Sequence, residues 1–96
     1  MMKTSRFDAA SALGDADIQA EMLSEALATG DSRLVAHVLG TIARARGMAS
    51  VANATGINRS TLYAALSEDG NPTVETLFNV IKALDLRLTA SPAKAA

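Results

Sequence analysis

The stretch MASVANATGINRSTLYAALS, residues 48–67, decides the fold of this chain. It predicts a short helix, a sharp turn at Gly56 and a second helix that starts near Asn58, which is the arrangement of a helix-turn-helix. Gly56 can adopt the positive φ that ends a helix before such a turn. Leu62 and Leu66 lie one helical turn apart, so the second helix should direct both toward the core.

The opposite face of the second helix indicates a function. Small and polar side chains there would let the helix approach the floor of a DNA groove, while Arg59 reaches a guanine edge or a phosphate. The alternative is an ordinary helical hairpin with a solvated face. Arg44 and Arg46, on the preceding helix, are candidates for contacting the DNA backbone, although both also fit ordinary surface positions. The outward face comprises Ser60, Tyr63, Ala64 and Ser67, with Asn58 and Arg59 at its N-terminal end.

Length and composition limit the fold and the chemistry. A chain of 96 residues makes one small domain, and 49% apolar but only 3% aromatic residues favour a helical bundle over a β-sandwich. Without cysteine, the chain can form neither disulfides nor thiolate metal sites. No apolar run is long enough to cross a membrane, and the start MMKTSRFD lacks the apolar stretch of a signal peptide. We therefore expect a cytoplasmic protein.

Charge is distributed unevenly although the net charge is only −1. Between Asp8 and Asp31 there are six acidic residues and no basic ones, whereas between Ser32 and Ser67 there are four arginines and no acid. Such asymmetry suggests two partners of opposite charge. Alternatively, the two segments neutralise each other within the fold.

Two helices should precede the motif. Asp15 is the expected N-cap of the first helix, which Gly30 ends, and Asp31 or Ser32 should begin the second. The first helix carries an acidic face beside an apolar arc that is wider than one packing stripe needs. This arc would meet a second subunit or a partner protein, or lie under Phe7 and the turn that follows it. The acidic face comprises Asp17, Glu21 and Glu25.

A dense turn signal, SEDGNP, follows the motif, and Thr73 should cap the last helix. Apolar residues recur there with the 3.6 period from Val74 to Leu84, and we expect Phe78 to be the most deeply buried aromatic side chain. Residues 85–90, DLRLTA, alternate between polar and apolar and predict a short strand, which needs a partner near the N terminus or from another subunit. The expected fold is all-α, with five to six helices and a short C-terminal strand.

The segment from Ala52 to Thr89, AxATGINRSTLYxALSEDGNPTVETLxxVIKALDLRLT, resembles the Cro/lambda-repressor-like helix-turn-helix domain. More narrowly, residues 4–90 resemble the addiction module antidote family of bacterial antitoxins, although Asn53 and Ala54 stand where that family commonly carries Glu or Gln. The resemblance implies a protein that binds a small RelE-like, mRNA-cleaving toxin and, as a homodimer, its own operator DNA. It also implies that the DNA contacts include Ser50, Asn58, Arg59, Ser60, Thr61 and Tyr63.

We therefore predict a type II antitoxin that neutralises such a toxin and represses its own operon. The acidic face would receive the toxin, because complementary charge steers association. The alternatives are a phage-type repressor without a toxin and a protein-interaction module that no longer binds DNA. An enzyme, a cofactor and a metal site are not expected, since no paired-acid pocket, phosphate loop, triad or ligand cluster is recognisable. Residues 1–31 would contact the toxin or a second subunit, residues 32–90 would bind DNA, and residues 91–96 would form a tail.

Overall fold

The computed structural model describes residues 15–93, which form five α-helices. No strand occurs within these residues, so the all-α prediction is confirmed for this part of the chain, and Phe7 lies outside it. None of the five helices has both the length and the apolarity that a membrane crossing requires. The helices are α1 (Ala16–Thr29), α2 (Ser32–Arg46), α3 (Met48–Thr55), α4 (Arg59–Ala65) and α5 (Val74–Ala83).

Several helices begin at the capping residues that the sequence predicted. The Asp15 carboxylate accepts a hydrogen bond from the N–H of Asp17 (2.8 Å) at the start of α1, and the Asp31 carboxylate caps α2 in the same way. The Thr73 hydroxyl oxygen accepts from the N–H of Thr76 (3.1 Å) at the start of α5. Each bond satisfies a backbone donor that has no partner within its helix.

Helix α2 connects most of the bundle. It contacts α1, α3 and α5, while α3 also packs against α4 and α5. Leu39 and Ile42 of α2 are fully buried, as are Leu62, Leu66 and Leu84 from the elements around it. Burying a side chain of this size contributes about 1.5–3 kcal/mol, so this cluster supplies a large share of the stabilisation.

A close backbone contact fixes the end of α4 relative to α2. A Cβ atom added at Gly40 would collide with the carbonyl oxygen of Leu66, and it would lie 3.3 Å from the Leu66 Cβ. Only glycine permits this approach, because any side chain would push the two elements apart. Gly40 was given no role in the sequence-based prediction.

Two apolar residues expected in the core lie at the surface. Phe78 is 52% exposed and Val74 is 65% exposed, so the prediction that Phe78 is the most buried aromatic was wrong. Val80 and Ile81 fill the interior from α5, followed by Leu84. The buried stripe of α5 is rotated toward Val80, because this side of the helix meets α2 and α3.

The predicted strand at residues 85–90 is not present in the described structure. Instead, α5 ends in a Schellman motif, in which the N–H of Leu86 donates to the Ile81 carbonyl (3.1 Å) and the N–H of Asp85 donates to the Lys82 carbonyl (3.0 Å). Strand structure requires hydrogen bonds to a neighbouring strand, and residues 15–93 contain none.

Candidate nucleic-acid interface

Helices α3 and α4 are joined by a short turn, residues 56–58. Gly56 has a φ of 73°, the left-handed conformation predicted from the sequence, and its N–H closes α3 on the Ala52 carbonyl (2.8 Å). The Thr55 hydroxyl oxygen accepts the N–H of Ile57 (3.1 Å). Half-buried Ile57 packs against the core. These contacts give α3 and α4 a defined relative orientation.

The C-terminal end of α4 is held by leucines and by a second close glycine contact. Leu62 and Leu66 are fully buried, as predicted. A Cβ atom added at Gly70 would collide with the carbonyl group of Ala65, so the loop closes this tightly only with glycine. The N–H of Gly70 also donates to the Ser67 carbonyl (2.9 Å). The SEDGNP turn therefore packs against the end of the helix that it follows.

The face of α4 directed away from these leucines is exposed and carries no acidic residue. The ring of Tyr63 is partly accessible, at 42% exposure, and the neighbouring hydroxyl-bearing and small residues leave the helix slim. Such a surface can approach a groove floor and offers one guanidinium, hydroxyl groups and one aromatic ring. Its exposed members are Arg59, Ser60, Thr61, Tyr63 and Ala64.

Two of the expected DNA-contacting residues have structural roles at the ends of α4. The Asn58 side-chain oxygen is the N-cap and accepts from the N–H of Thr61 (3.2 Å). Ser67 is half-buried, and its hydroxyl donates to the Ala64 carbonyl (2.9 Å). These bonds stabilise the helix ends, so Asn58 and Ser67 border the exposed face rather than form its centre.

The exposed face continues onto α3. Ser50 is exposed there, and Asn53 follows it by three residues on the same helix. An open cleft between α3 and the start of α4 is lined by Asn53, Ile57 and Arg59 among others. Asn53 was not among the predicted site residues, and its spacing from Ser50 is the signal that could have identified it.

The four arginines between Ser32 and Ser67, which we call the basic block, have different surroundings. Arg33 forms an ion pair with Asp69 (3.4 Å) in the loop after α4, with both side chains largely exposed. Arg46 was expected at the DNA backbone, but its Nε donates to Gln19 Oε1 (3.1 Å) and its Nη2 donates to the Leu84 carbonyl (2.7 Å). Because its donors join α1 to the end of α5, we leave Arg46 out of the candidate interface.

The other two arginines of this block remain available to a ligand. Arg44 and Arg59 are exposed, and neither forms a hydrogen bond or an ion pair with its side chain among residues 15–93. Gln19, the partner of Arg46, is fully buried between the apolar residues of α1. A glutamine at this position of the apolar arc is the sequence signal that a polar partner reaches into the bundle.

The acidic face predicted on α1 is present as a continuous exposed row. Asp17, Glu21 and Glu25 follow one another at four-residue intervals, on the side opposite the buried Leu23 and Ala26. None of the three forms an ion pair within residues 15–93. Direct neutralisation of this row by the basic block is therefore not supported, and its negative charge faces solvent.

Comparison with known proteins identifies the family of this chain. A family model described as "Probable addiction module antidote protein" matches residues 3–92. A protein of Haemophilus influenzae, described as uncharacterized, is 48% identical over 65 residues, which cover 68% of this chain and 67% of that protein. No solved structure matches the chain. Because the family model spans nearly the whole sequence, this chain belongs to the addiction module antidote family.

Proposed function

We propose that the protein is the antitoxin of a type II toxin–antitoxin module, which binds its own operator DNA through α4 and a RelE-like toxin through α1. The observation that carries the DNA-binding part is the exposed, acid-free face of α4, where Arg59 has no partner within residues 15–93. Membership of the antidote family supports the toxin partner. The proposal is for a binding protein of the cytoplasm and includes no catalytic step.

The proposed DNA binding follows the recognition-helix arrangement of helix-turn-helix proteins. Helix α4 would enter the major groove, with Arg59, Ser60 and Tyr63 near the base edges and Arg44 and Ser50 near the phosphates. A homodimer would carry two copies of α4 and would occupy half-sites about 34 Å apart, one turn of the duplex. Binding would repress the operon that encodes the pair.

Substitution of Arg59 tests the proposed DNA binding. We expect Arg59→Ala to weaken operator binding by about 1–3 kcal/mol, roughly 5- to 150-fold, if the guanidinium reads a base, or to reduce the salt slope by about one if it holds a phosphate. The measurement is a fluorescence-anisotropy titration of the upstream intergenic duplex at several salt concentrations. Lys82→Ala removes one exposed cation from α5 and is the matched control. Equal affinities and salt slopes for the two variants would refute the assignment of α4 to the groove.

Charge reversal on α1 tests the proposed toxin binding. RelE-like toxins are basic, so the row Asp17, Glu21 and Glu25 would steer and hold them. We expect Glu21→Lys combined with Glu25→Lys to slow association with the toxin while DNA affinity changes little, because α1 packs mainly against α2 and α4 packs mainly against α3.

Surface plasmon resonance with the product of the adjacent gene gives the association rate. The double variant Glu68→Lys with Glu75→Lys makes the same change of net charge at exposed positions outside α1 and is the control. If both double variants slow association equally, the effect is one of net charge and the toxin docks elsewhere.

A further inference from the structure

The segment after α5 has the side-chain pattern of a strand. Leu86 and Leu88 are half-buried and pack against the core, whereas Arg87 and Thr89 are exposed. This period of two is characteristic of extended chain with one face on a core. The segment follows Asp85, whose φ of 58° reverses the chain at the end of α5.

Backbone groups in this segment lack partners within the described structure. Leu86 uses its N–H in the Schellman bond to Ile81, but residues 87–93 form no hydrogen bond with any other group of residues 15–93. Exposed strand-like segments with free N–H and C=O groups are templates for pairing with another chain. These backbone groups belong to residues whose side chains already alternate between the core and the solvent.

We infer that residues 86–90 pair antiparallel with the same residues of a second copy, across a two-fold axis at Leu88. Two-fold dimers are the commonest oligomers, and an antiparallel strand pair is compatible with that symmetry. In this register Arg87 lies opposite Thr89 of the other copy, and Leu86 lies opposite its Ala90. Polar residues therefore meet polar residues, and apolar residues meet apolar ones.

Charge selects this register over its neighbour. Moving the axis to Arg87 would set the two guanidinium groups directly opposite each other, and like charges in that position are destabilising. With the axis at Leu88, each guanidinium faces a hydroxyl. The segment can therefore pair with a second copy of itself without placing like charges directly opposite each other.

The Schellman bond determines which backbone groups face the partner. Successive N–H groups of a strand point to opposite edges, and the N–H of Leu86 points back to Ile81 of its own α5. The N–H and C=O groups of Arg87 and Thr89 therefore point to the free edge. Four hydrogen bonds follow, two from each copy, between Arg87 of one and Thr89 of the other.

This pairing supplies the dimer that the proposed DNA binding requires, but it is tested without DNA, so either proposal can fail alone. The chain has no cysteine, which makes single-cysteine variants unambiguous. Directly opposite residues in a hydrogen-bonded pair have Cα atoms about 5.5 Å apart, within disulfide range, whereas diagonal neighbours at roughly 7–8 Å are too far apart.

Disulfide trapping tests the register. Tagged Arg87→Cys mixed with untagged Thr89→Cys, both at exposed positions, should form the mixed disulfide several-fold faster than either variant forms its own. The mixture of Glu75→Cys with Lys82→Cys, exposed on α5, measures random collision. A mixed yield no greater than this control would overturn the inference.

A proline pair tests the hydrogen bonds, because proline has no N–H. Thr89→Pro removes a donor that faces the partner, and Ala90→Pro removes one that does not. Sedimentation equilibrium should show a several-fold weaker dimer for Thr89→Pro and an unchanged one for Ala90→Pro, with circular dichroism confirming that both are folded. Equal behaviour, or the reverse order, would contradict the assigned edge.

Discussion

Helices α4 and α1 both present a polar face to solvent, but they are attached to the bundle in different ways. Helix α4 has only seven residues, and its end is fixed by backbone contacts at Gly40 and Gly70, where no side chain fits. Helix α1 has fourteen residues and is attached to α2 by side chains, through Leu23, Ala26 and the bond from Arg46 to Gln19. A helix that reads DNA, as proposed for α4, needs a fixed position, whereas a helix that receives a protein partner through charge, as proposed for α1, tolerates adjustment.

The largest effect is expected at the backbone contact of α4. We expect Gly40→Ala to lower the free energy of unfolding by about 3 kcal/mol, since the new Cβ would overlap the Leu66 carbonyl and a backbone atom cannot move aside. Urea denaturation measures this, and operator affinity should fall with it. Ala45→Gly, at an exposed position of α2, is the control. It measures only the difference in helix propensity between alanine and glycine, which is at most about 1 kcal/mol of unfolding free energy. A stability gain in Gly40→Ala would disprove the close approach of Gly40 to the Leu66 carbonyl.

A smaller effect is expected where α1 is attached. Removing the Arg46 side chain leaves the Leu84 carbonyl without this donor, so Arg46→Ala should cost about 2 kcal/mol of unfolding free energy. Arg44→Ala, two residues earlier and exposed, should change stability by less than about 0.5 kcal/mol. If DNA binds as proposed, operator affinity should fall more in Arg44→Ala than in Arg46→Ala, because of these two arginines only Arg44 lacks a side-chain partner within residues 15–93. Equal destabilisation by the two variants would contradict the bridging role of Arg46.

The smallest effect is expected at the surface pair between α2 and the loop after α4. Arg33 and Asp69 are both largely exposed, so Arg33→Ala should cost no more than about 0.5 kcal/mol and the loss should vanish at high salt. Thermal melts at two ionic strengths provide the measurement. A cost near that of Arg46→Ala would mean that this loop is held by charge rather than by the packing of Gly70.

Features set by neighbouring residues could be predicted from the sequence, whereas contacts between residues far apart in the sequence could not. The caps at Asp15 and Thr73 and the left-handed Gly56 depend on neighbouring residues, and all three are confirmed. Of the two caps expected for α2, Asp31 or Ser32, the structure has Asp31. Helix periodicity defined the apolar side of α5 but not its exact rotation, which is why Phe78 was wrongly expected to be buried.

Long-range partners explain the other differences. The bonds of Arg46 reach residues 27 and 38 positions away in the sequence, so nothing near it distinguishes it from Arg44. Alternation in residues 85–90 correctly indicated a side-chain pattern, but a strand also needs a neighbouring strand, and local alternation does not reveal which segment would pair with it. The candidate site was more predictable, because exposure of α4 follows from which of its residues are buried.

The connections between helices carry a consequence for turnover in the cell. Residues 30–31, Gly47 and residues 56–58 are tight and capped, and only residues 66–73 form a longer link within the described chain. Proteases cut extended, exposed stretches, so a folded molecule offers them little between its helices. We expect cleavage between the helices to follow the population of opened molecules, so that the stability of the bundle controls how fast these connections are cut.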